Sequence, residues 1–400
     1  MMEKKARRSM RTTPVLLALA AAAALASACS ESPEDLENGQ TTKDPGGNGP
    51  NNGSEEQEHT ALDDRKLDYN EALRTASLKL VRALPTLAQI KRVQNASDQK
   101  VAYEEELDAM FADPRFQERM IKWWRDVMRQ GGGADGDRPS RDTAPVFAAR
   151  LVVEDRPYTD LFTATTNTCP SYDADGRAFV DGECNNNVAV NAGVLTNPGV
   201  MNQFYGNMAF RRVRWVQETF VCTKFPAEYS EAPVEMNGAE YVSPWKFESI
   251  AAEPINFRDT ESVICANCHT TLNHIAPLFA NFDMNGMWTD SIQVKTPVIP
   301  EVDTALSHWL EPNEKLAWRL GTEVADLPAL GQAIAADPDV AECAVARAWN
   351  FAMSKEDIVS DLATVPLEVI QPFVEEFQGN GKNFKEVLRS IMTSDDFVRF

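Results

Sequence analysis

Apolar residues recur at every third or fourth position over most of the chain after Leu67, which is the spacing of one face of an α-helix. The first such segment carries Leu73, Ala76 and Leu80 at this spacing and ends at Pro85. Strict alternation of apolar and polar residues, the pattern of a half-buried strand, is scarce. The sequence therefore predicts a mainly α fold.

Start signals divide this pattern into separate helices. Asp113-Pro114 and Asp337-Pro338 each place a capping aspartate before a proline, which is well tolerated at the first position of a helix. These two helices are predicted to run to about Met128 and Met353. Further helices are predicted over residues 86–93, 101–111, 143–153, 210–220, 306–320, 327–336, 365–377 and 384–392.

The chain divides into five predicted parts. Residues 1–28 are predicted to be a signal peptide. Residues 29–62 are predicted to be a disordered tether, because they are rich in Glu, Asp, Asn, Gly and Pro and carry too few apolar residues to offset the entropy of ordering. Residues 63–165 form a predicted helical module, residues 166–300 a module with a disulfide loop and a cofactor site, and residues 301–400 a second helical module.

The N-terminus has the pattern of an export signal. Basic residues precede an apolar, alanine-rich run from Pro14 to Ala28, and small residues stand directly before Cys29. The cysteine after small residues resembles a bacterial lipoprotein signal, and Ser30 resembles the outer-membrane sorting class. The resemblance implies that Cys29 becomes the lipidated first residue of an exported, outer-membrane-anchored protein. Ordinary cleavage with a free Cys29 is the alternative.

The charge balance narrows the range of partners. The chain has 39 basic and 60 acidic residues and a formal net charge of -21. Nucleic-acid binding is disfavoured, because a phosphate backbone needs a basic surface. The acidic surface favours basic partners, so a redox partner protein is expected to be basic, and contact with the membrane is expected through the lipid anchor only. The oligomeric state does not follow from the sequence.

The residues Cys265-Ala266-Asn267-Cys268-His269 carry the clearest chemistry of the sequence. Cys-x-x-Cys-His is the attachment motif of c-type haem. Two cysteines at this spacing can each form a thioether with the haem, and the histidine can bind the iron as proximal ligand. A dithiol redox pair is disfavoured because no βαβ pattern surrounds the motif, and zinc because no fourth ligand stands at finger spacing. The sequence predicts one covalent haem c.

The stretch from Cys265 to Trp288 resembles cytochrome-c-like modules of large exported bacterial proteins, which are described only as domains of unknown function. Their pattern continues with Asn or Asp and then Phe-Asp-x-x-Gly-x-Trp, which Asn273 and residues 282–288 match. Weaker resemblances lie upstream and downstream, over residues 192–223, 341–353 and 394–397, and N-terminally near residues 84–86 and 113–116. The resemblance implies a haem module packed with a C-terminal helical module and preceded by an N-terminal helical module.

Four cysteines remain once Cys29 is assigned to the lipid and Cys265 and Cys268 to the haem. An oxidising compartment favours two disulfides between these four. Four cysteines allow three pairings. Cys169 with Cys184 is the local choice and would close a predicted polar loop, and Cys222 with Cys343 follows by elimination. The resembling family also has cysteines at the last two positions. Free buried thiols are the alternative.

Calcium in the loop at residues 173–176 is disfavoured, because the glycine comes too early for an EF-hand.

The sixth ligand of the iron stays open at this point. Methionine would give a high-potential electron carrier and histidine a lower potential. The candidates are His274, Met284, Met287, His308, Met201, Met208 and Met353.

The predicted function is single-electron transfer by a membrane-anchored monohaem cytochrome, with no separate catalytic residues. One alternative is a haem enzyme of peroxidase type, which needs an open sixth site. Another is a structural or binding surface lipoprotein in which the haem only stabilises the fold.

Overall fold

The computed structural model describes residues 64–206, 209–224, 272–295, 303–307, 315–319 and 321–400, together with the backbone of residues 235–236 and 239–240. Contacts group residues 60–400 into one unit, to which every described residue belongs. The described part is mainly helical with a few short strands, which confirms the predicted fold class. No helix in these ranges is long and apolar enough to cross a membrane.

Fourteen helices lie in the described part of the chain. They are α1 (Tyr69–Leu80), α2 (Leu87–Asn95), α3 (Gln99–Phe111), α4 (Pro114–Met128), α5 (Thr143–Val153), α6 (Asp160–Thr163), α7 (Pro198–Gln203), α8 (Phe210–Phe220), α9 (residues 272–279 in its described part), α10 (Leu327–Ala336), α11 (Pro338–Ala352), α12 (Leu367–Gly379), α13 (Phe384–Thr393) and α14 (Asp395–Val398). A 3-10 turn covers Gly193–Thr196.

The short strands form two-stranded antiparallel pairs. They are β1 (Ser171–Asp173) with β2 (Ala178–Val180), β3 (Glu235–Met236) with β4 (Ala239–Glu240), β5 (Gln293–Lys295) with β6 (Asp303–Ala305), and β7 (Ala317–Trp318) with β8 (Thr322–Glu323).

Local capping explains where several helices begin. Asp113 accepts a hydrogen bond from the Arg115 amide at the start of α4, and Asp337 accepts one from the Asp339 amide at the start of α11. Each side chain satisfies a backbone donor that has no partner inside the helix. The two Asp-Pro signals therefore predicted both helix starts correctly.

One aromatic cluster joins the N-terminal and C-terminal helices. Trp123 on α4 lies 5.7 Å from the ring of Phe351 on α11 and 5.3 Å from that of Phe384 on α13. Tyr158 stacks on Phe384 at 6.1 Å. Because these rings are buried or partly buried and belong to both ends of the chain, the helices of residues 63–165 and 301–400 share one hydrophobic core. The module boundaries at residues 165 and 300 stay predictions.

Two disulfides tie the fold together. Cys169 and Cys184 pair with their Cα atoms 4.9 Å apart, and Cys222 and Cys343 pair with theirs 5.4 Å apart. Both predicted pairings are confirmed, so these four cysteines are not free thiols. The first disulfide closes the segment that was predicted as a loop, although the segment contains the hairpin β1–β2. The second joins the end of α8 to α11.

The predicted helix over residues 306–320 is wrong in its described part. Residues 317–318 form a strand, and the turn that follows has Arg319 at a positive φ of 51°. The Trp318 indole donates to a carboxylate oxygen of Asp337 at 2.7 Å, and Arg319 forms an ion pair with the same carboxylate at 3.1 Å. These long-range contacts to the cap of α11 override the local helical spacing.

The second disulfide is expected to stabilise the fold more than the first. It closes a sequence separation of 121 residues against 15, and in the chain-entropy model a longer loop loses more freedom in the unfolded chain. We expect Cys222→Ser with Cys343→Ser to lower the free energy of unfolding by roughly 4–5 kcal/mol, and Cys169→Ser with Cys184→Ser by about 3 kcal/mol. Urea denaturation of both double variants measures this, and an equal or reversed order contradicts it.

Candidate functional site

The structure describes the part of the predicted haem module that follows the attachment motif. Cys265, Cys268 and His269 lie outside the described residues. Further predicted residues that lie outside them are Cys29, His308 and Met208. In the described part of the chain, the candidate site consists of α9 and the loop after it. The predicted motif directly precedes α9 in the sequence.

Helix α9 is buried on every side. All nine residues from Leu272 to Ala280 are buried. A helix that is apolar or buried all round belongs to the interior of a protein rather than to its surface. Two polar side chains take part in this burial: Asn273 is 2% exposed and His274 is 4% exposed, and both have interaction partners. The segment next to the predicted motif is thus anchored in the core.

Arg212 on α8 holds the C-terminal end of α9. Its Nη1 donates to the carbonyl oxygens of Phe279 at 2.6 Å and Phe282 at 3.1 Å. Its Nη2 donates to the carbonyl oxygens of Met201 at 2.7 Å and Asp283 at 3.2 Å, and Nε donates to Met201 at 3.2 Å. The last carbonyls of a helix lack partners inside it and carry partial negative charge, so a buried guanidinium is a suitable cap.

The Arg212 guanidinium is charged although it is only 1% exposed. Burial lowers the pKa of Arg212 to about 10, which still leaves it protonated at neutral pH. The carbonyl dipoles supply most of the compensation for its lost hydration. The rings of Tyr205 and Phe282 lie 5.5 Å and 5.8 Å from the guanidinium carbon and add cation–π attraction.

The segment Phe282–Trp288 forms a closed loop that Asp283 organises. One carboxylate oxygen of Asp283 accepts hydrogen bonds from the amides of Asn285 at 2.8 Å and Met287 at 2.9 Å. The Asp283 amide donates to the carbonyl of Met287 at 2.9 Å. The Phe282 and Trp288 rings meet edge to face at 5.1 Å and close the loop.

Gly286 is required for this loop by two independent constraints. Its φ is +74°, in the region where side chains with a Cβ are strained. A Cβ at this position would also overlap the backbone of Pro198 at the start of α7. The loop therefore packs directly against α7, and only glycine allows the close approach.

Three further contacts fasten the loop to its surroundings. The Asn202 side chain on α7 donates to the carbonyl of Met284 at 2.6 Å. The Trp288 amide donates to the carbonyl of Asn186 at 2.9 Å, and the buried Asn186 side chain donates to the carbonyl of Thr196. The loop, α7 and the segment after the first disulfide thus form one hydrogen-bonded unit.

The candidate iron ligands in the described part differ in their surroundings. His274 is buried on α9, and Met201 on α7 is fully buried. Met284 is 58% exposed, whereas Met287 is partly buried in the same loop. Met353 directly follows α11 and packs against the hydrophobic core. The structure brings the first four into the unit around Arg212, and it assigns none of them to the iron.

The aspartates of the first disulfide loop have structural roles. Asp173 ends β1, and its carboxylate accepts a hydrogen bond from the Asp175 amide at 3.0 Å in the hairpin turn. Within the ranges that the structure describes, no group of three His, Cys, Asp or Glu residues is arranged to hold a metal ion.

Arg212 has the most contacts in this unit among the residues that the sequence did not predict for the site. It occupies the same helix face as Trp215, Val216 and Phe220, all of which are buried. A cation at the apolar positions of an amphipathic helix is the signal that identifies it, because arginine is almost never fully buried unless it is paired.

A protein-family model matches the N-terminal part of the chain. Residues 54–193 match the model of a family described as PSCyt2, protein of unknown function (DUF1549). No curated protein and no solved structure matches the chain significantly. The match covers α1 to α6 and the first disulfide and ends at Gly193, before α8, α9 and the predicted haem motif. It confirms the resemblance to a domain of unknown function for this part of the chain.

Substitution of Arg212 is expected to destabilise the unit that holds α9. Arg212→Met would remove a donor from four buried carbonyls, of which those of Phe279 and Asp283 keep a backbone amide as partner. At roughly 1–3 kcal/mol for each of the other two, we expect a loss of about 3–5 kcal/mol in the free energy of unfolding. Arg212→Lys should lose less, because it keeps the charge but has fewer directed donors.

Urea denaturation measures both losses. The matched control is Arg211→Met, because Arg211 is the neighbouring residue and is exposed. A loss for Arg212→Met no larger than that of the control would show that the carbonyl contacts do not hold the unit together.

Proposed function

We propose that the protein is a monohaem c-type cytochrome of the bacterial cell envelope that carries single electrons. The observation that supports the proposal is the motif Cys265-Ala266-Asn267-Cys268-His269. Cys265 and Cys268 would hold the haem through thioethers, and His269 would bind the iron. The bound haem would supply the one-electron chemistry.

The cysteine pairing is compatible with this assignment. Cys169, Cys184, Cys222 and Cys343 are all used in disulfides, so the two motif cysteines are not needed to complete a structural pair. Structural disulfides belong to oxidising compartments, and a covalently held haem suits an exported protein that could otherwise lose its cofactor. The donor chemistry of the chain therefore fits one haem c.

The described residues would give the proposed haem site a rigid support. Only three peptide bonds separate His269 from Leu272, the first described residue of α9. Helix α9 is buried along its length, and Arg212 fixes its far end. An iron ligand that is tied to a fixed helix needs little rearrangement between oxidation states, which favours electron transfer.

Export and anchoring are further parts of the proposal. Cys29 would carry the lipid, and the predicted tether up to residue 62 would separate the acidic body from the outer membrane. A basic redox partner fits the net charge of -21.

The haem assignment is tested on the chain expressed with a cytochrome c maturation system. We expect a pyridine haemochrome spectrum of c type and haem that stays on the polypeptide after acid–acetone extraction. Cys265→Ala with Cys268→Ala should abolish the covalent haem, because both thioether sulfurs are lost. Cys169→Ala with Cys184→Ala is the matched control and should retain it. A wild-type protein without covalent haem would overturn the proposal.

The sixth ligand separates the electron carrier from the haem enzyme. We expect a low-spin, six-coordinate spectrum, with a methionine-to-iron charge-transfer band if methionine is the ligand. Variants His274→Ala, Met287→Ala and Met201→Ala each remove one candidate, and loss of the true ligand should convert the spectrum to high spin. Met284→Ala, at the mostly exposed loop position, and His308→Ala, Met208→Ala and Met353→Ala complete the set of seven candidates. A five-coordinate, high-spin wild type would favour the peroxidase-like alternative instead.

A further inference from the structure

A cleft of about 610 Å³ lies between α1, α4, α8, α11 and the segment 355–360 that follows α11. Its size is that of a site for a small molecule, for which volumes of roughly 300–1,000 Å³ are usual. Phe351 and Val359 belong to its apolar lining, and the remainder of the lining is mostly charged. The cleft lies outside the residues assigned to the proposed haem site.

The charge of the cleft is opposite to that of the chain. Among the described residues, seven lysine and arginine side chains line it, against four aspartate and glutamate side chains. The formal net charge of the whole chain is -21. A local excess of cations in such an acidic protein is not explained by its average composition.

Three of these cations are neutralised by carboxylates. Arg129 and Arg214 both form ion pairs with the buried carboxylate of Glu218, at 2.7 Å and 2.8 Å. Arg347 pairs with Asp357 at 2.9 Å. Two carboxylates therefore pair with three guanidinium groups, which leaves one positive charge in excess even among the paired residues.

Four further cations have no carboxylate within ion-pair distance in the described part of the chain; these are Lys79, Arg119, Lys224 and Lys355. Arg119 donates through Nε to the carbonyl of Lys79 at 2.9 Å, which leaves its Nη atoms for another acceptor. Both cations lie over the Phe351 ring, with the Arg119 guanidinium 4.9 Å and the Lys79 ammonium 5.8 Å from its centre.

The adjacent cations are also partly dehydrated. Burial lowers the pKa of Lys79, and the neighbouring Arg119 lowers it further. Burial likewise lowers the pKa of Arg119, with Arg82 as a second cause. Two cations that share a partly buried wall repel each other and lose hydration, and the attraction of a bound anion would offset both effects.

One buried donor in the lining of the cleft supports a ligand that accepts hydrogen bonds. Nε of Arg347 is buried and has no hydrogen-bond partner among the described residues, and Arg347 is 6% exposed and lines the cleft. The unmatched Oδ1 of Asn350, which also lines the cleft, is an acceptor and would need a hydroxyl group of the ligand as its donor. Buried polar atoms in native proteins normally have partners, so the unmatched guanidinium N–H indicates a missing acceptor.

We propose that this cleft binds a small organic anion with two or more carboxylate or phosphate groups. Arg119 and Lys79 would hold one anionic group above Phe351, and Lys355 would attract a second at the rim. The apolar side chains would cover the organic body of the ligand. Arginine suits this role because its planar fork matches the oxygen geometry of carboxylates and phosphates.

The test is calorimetric titration of the full chain with three probes: citrate, benzene-1,3,5-tricarboxylate and pyrophosphate, at an ionic strength fixed with chloride. We expect saturable binding of at least one probe with one site per chain. Tighter binding of a tricarboxylate than of pyrophosphate would favour carboxylate groups on the ligand, and the reverse order would favour phosphate groups. Absence of saturable binding for all three would overturn the proposal.

Three variants locate the binding. Arg119→Gln should weaken it at least tenfold, and the surface variant Lys355→Gln, which leaves the core untouched, roughly threefold or more, because each removes one charge-assisted contact. Lys91→Gln is the matched control, since Lys91 is exposed on α2 and lies outside the cleft. Equal affinity of Lys355→Gln and Arg119→Gln to the wild type would show that the anion binds elsewhere and would contradict the proposal.

Discussion

One buried cation, Arg212, joins the segments on which the proposed haem site depends. Its guanidinium donates to carbonyl oxygens of α7, of the end of α9 and of the loop after α9. Taking such a charge out of water costs several kcal/mol, and the cost is offset only when most donors are satisfied at once. The three segments therefore support each other, because loss of one carbonyl would leave part of the buried guanidinium without an acceptor. This mutual dependence gives a loop-rich region the rigidity that the helices elsewhere obtain from side-chain packing.

The loop after α9 changes how the resemblance to cytochrome-c-like modules should be interpreted. In the pattern Phe-Asp-x-x-Gly-x-Trp, each fixed position has a folding role here. Phe282 and Trp288 close the loop, Asp283 organises its turn, and Gly286 permits contact with α7. The variable positions are occupied by residues that include Met284 and Met287. The fixed positions of the pattern are therefore explained by the folding of this loop, and they assign no iron-binding role to either methionine.

Features that depend on interactions between residues close in sequence were predicted correctly from local sequence signals. Asp-Pro pairs marked the starts of α4 and α11, because the cap and the proline act within one turn. The disulfide pairing followed from a small count of cysteines. Arg212 was missed because its partners are backbone carbonyls, which a pattern of side chains does not reveal. The strand at Trp318 was missed because the Trp318 indole is held by Asp337, 19 residues later in the sequence. The cationic cleft was missed because its lining comes from five separate segments.

The distribution of charge would attract the two proposed ligands through different features of the chain. A net charge of -21 would attract a basic redox partner over long distances, but it repels a free anion that approaches the same surface. At physiological ionic strength the screening length is about 8 Å, so an anion that reaches the cleft is attracted mainly by the cations that line it. A small anion would therefore be attracted by the cations of the cleft, and a basic protein by the net negative charge of the chain. Such a division requires that the cations be concentrated in a cleft too small for a protein partner, and a cleft of about 610 Å³ meets that condition.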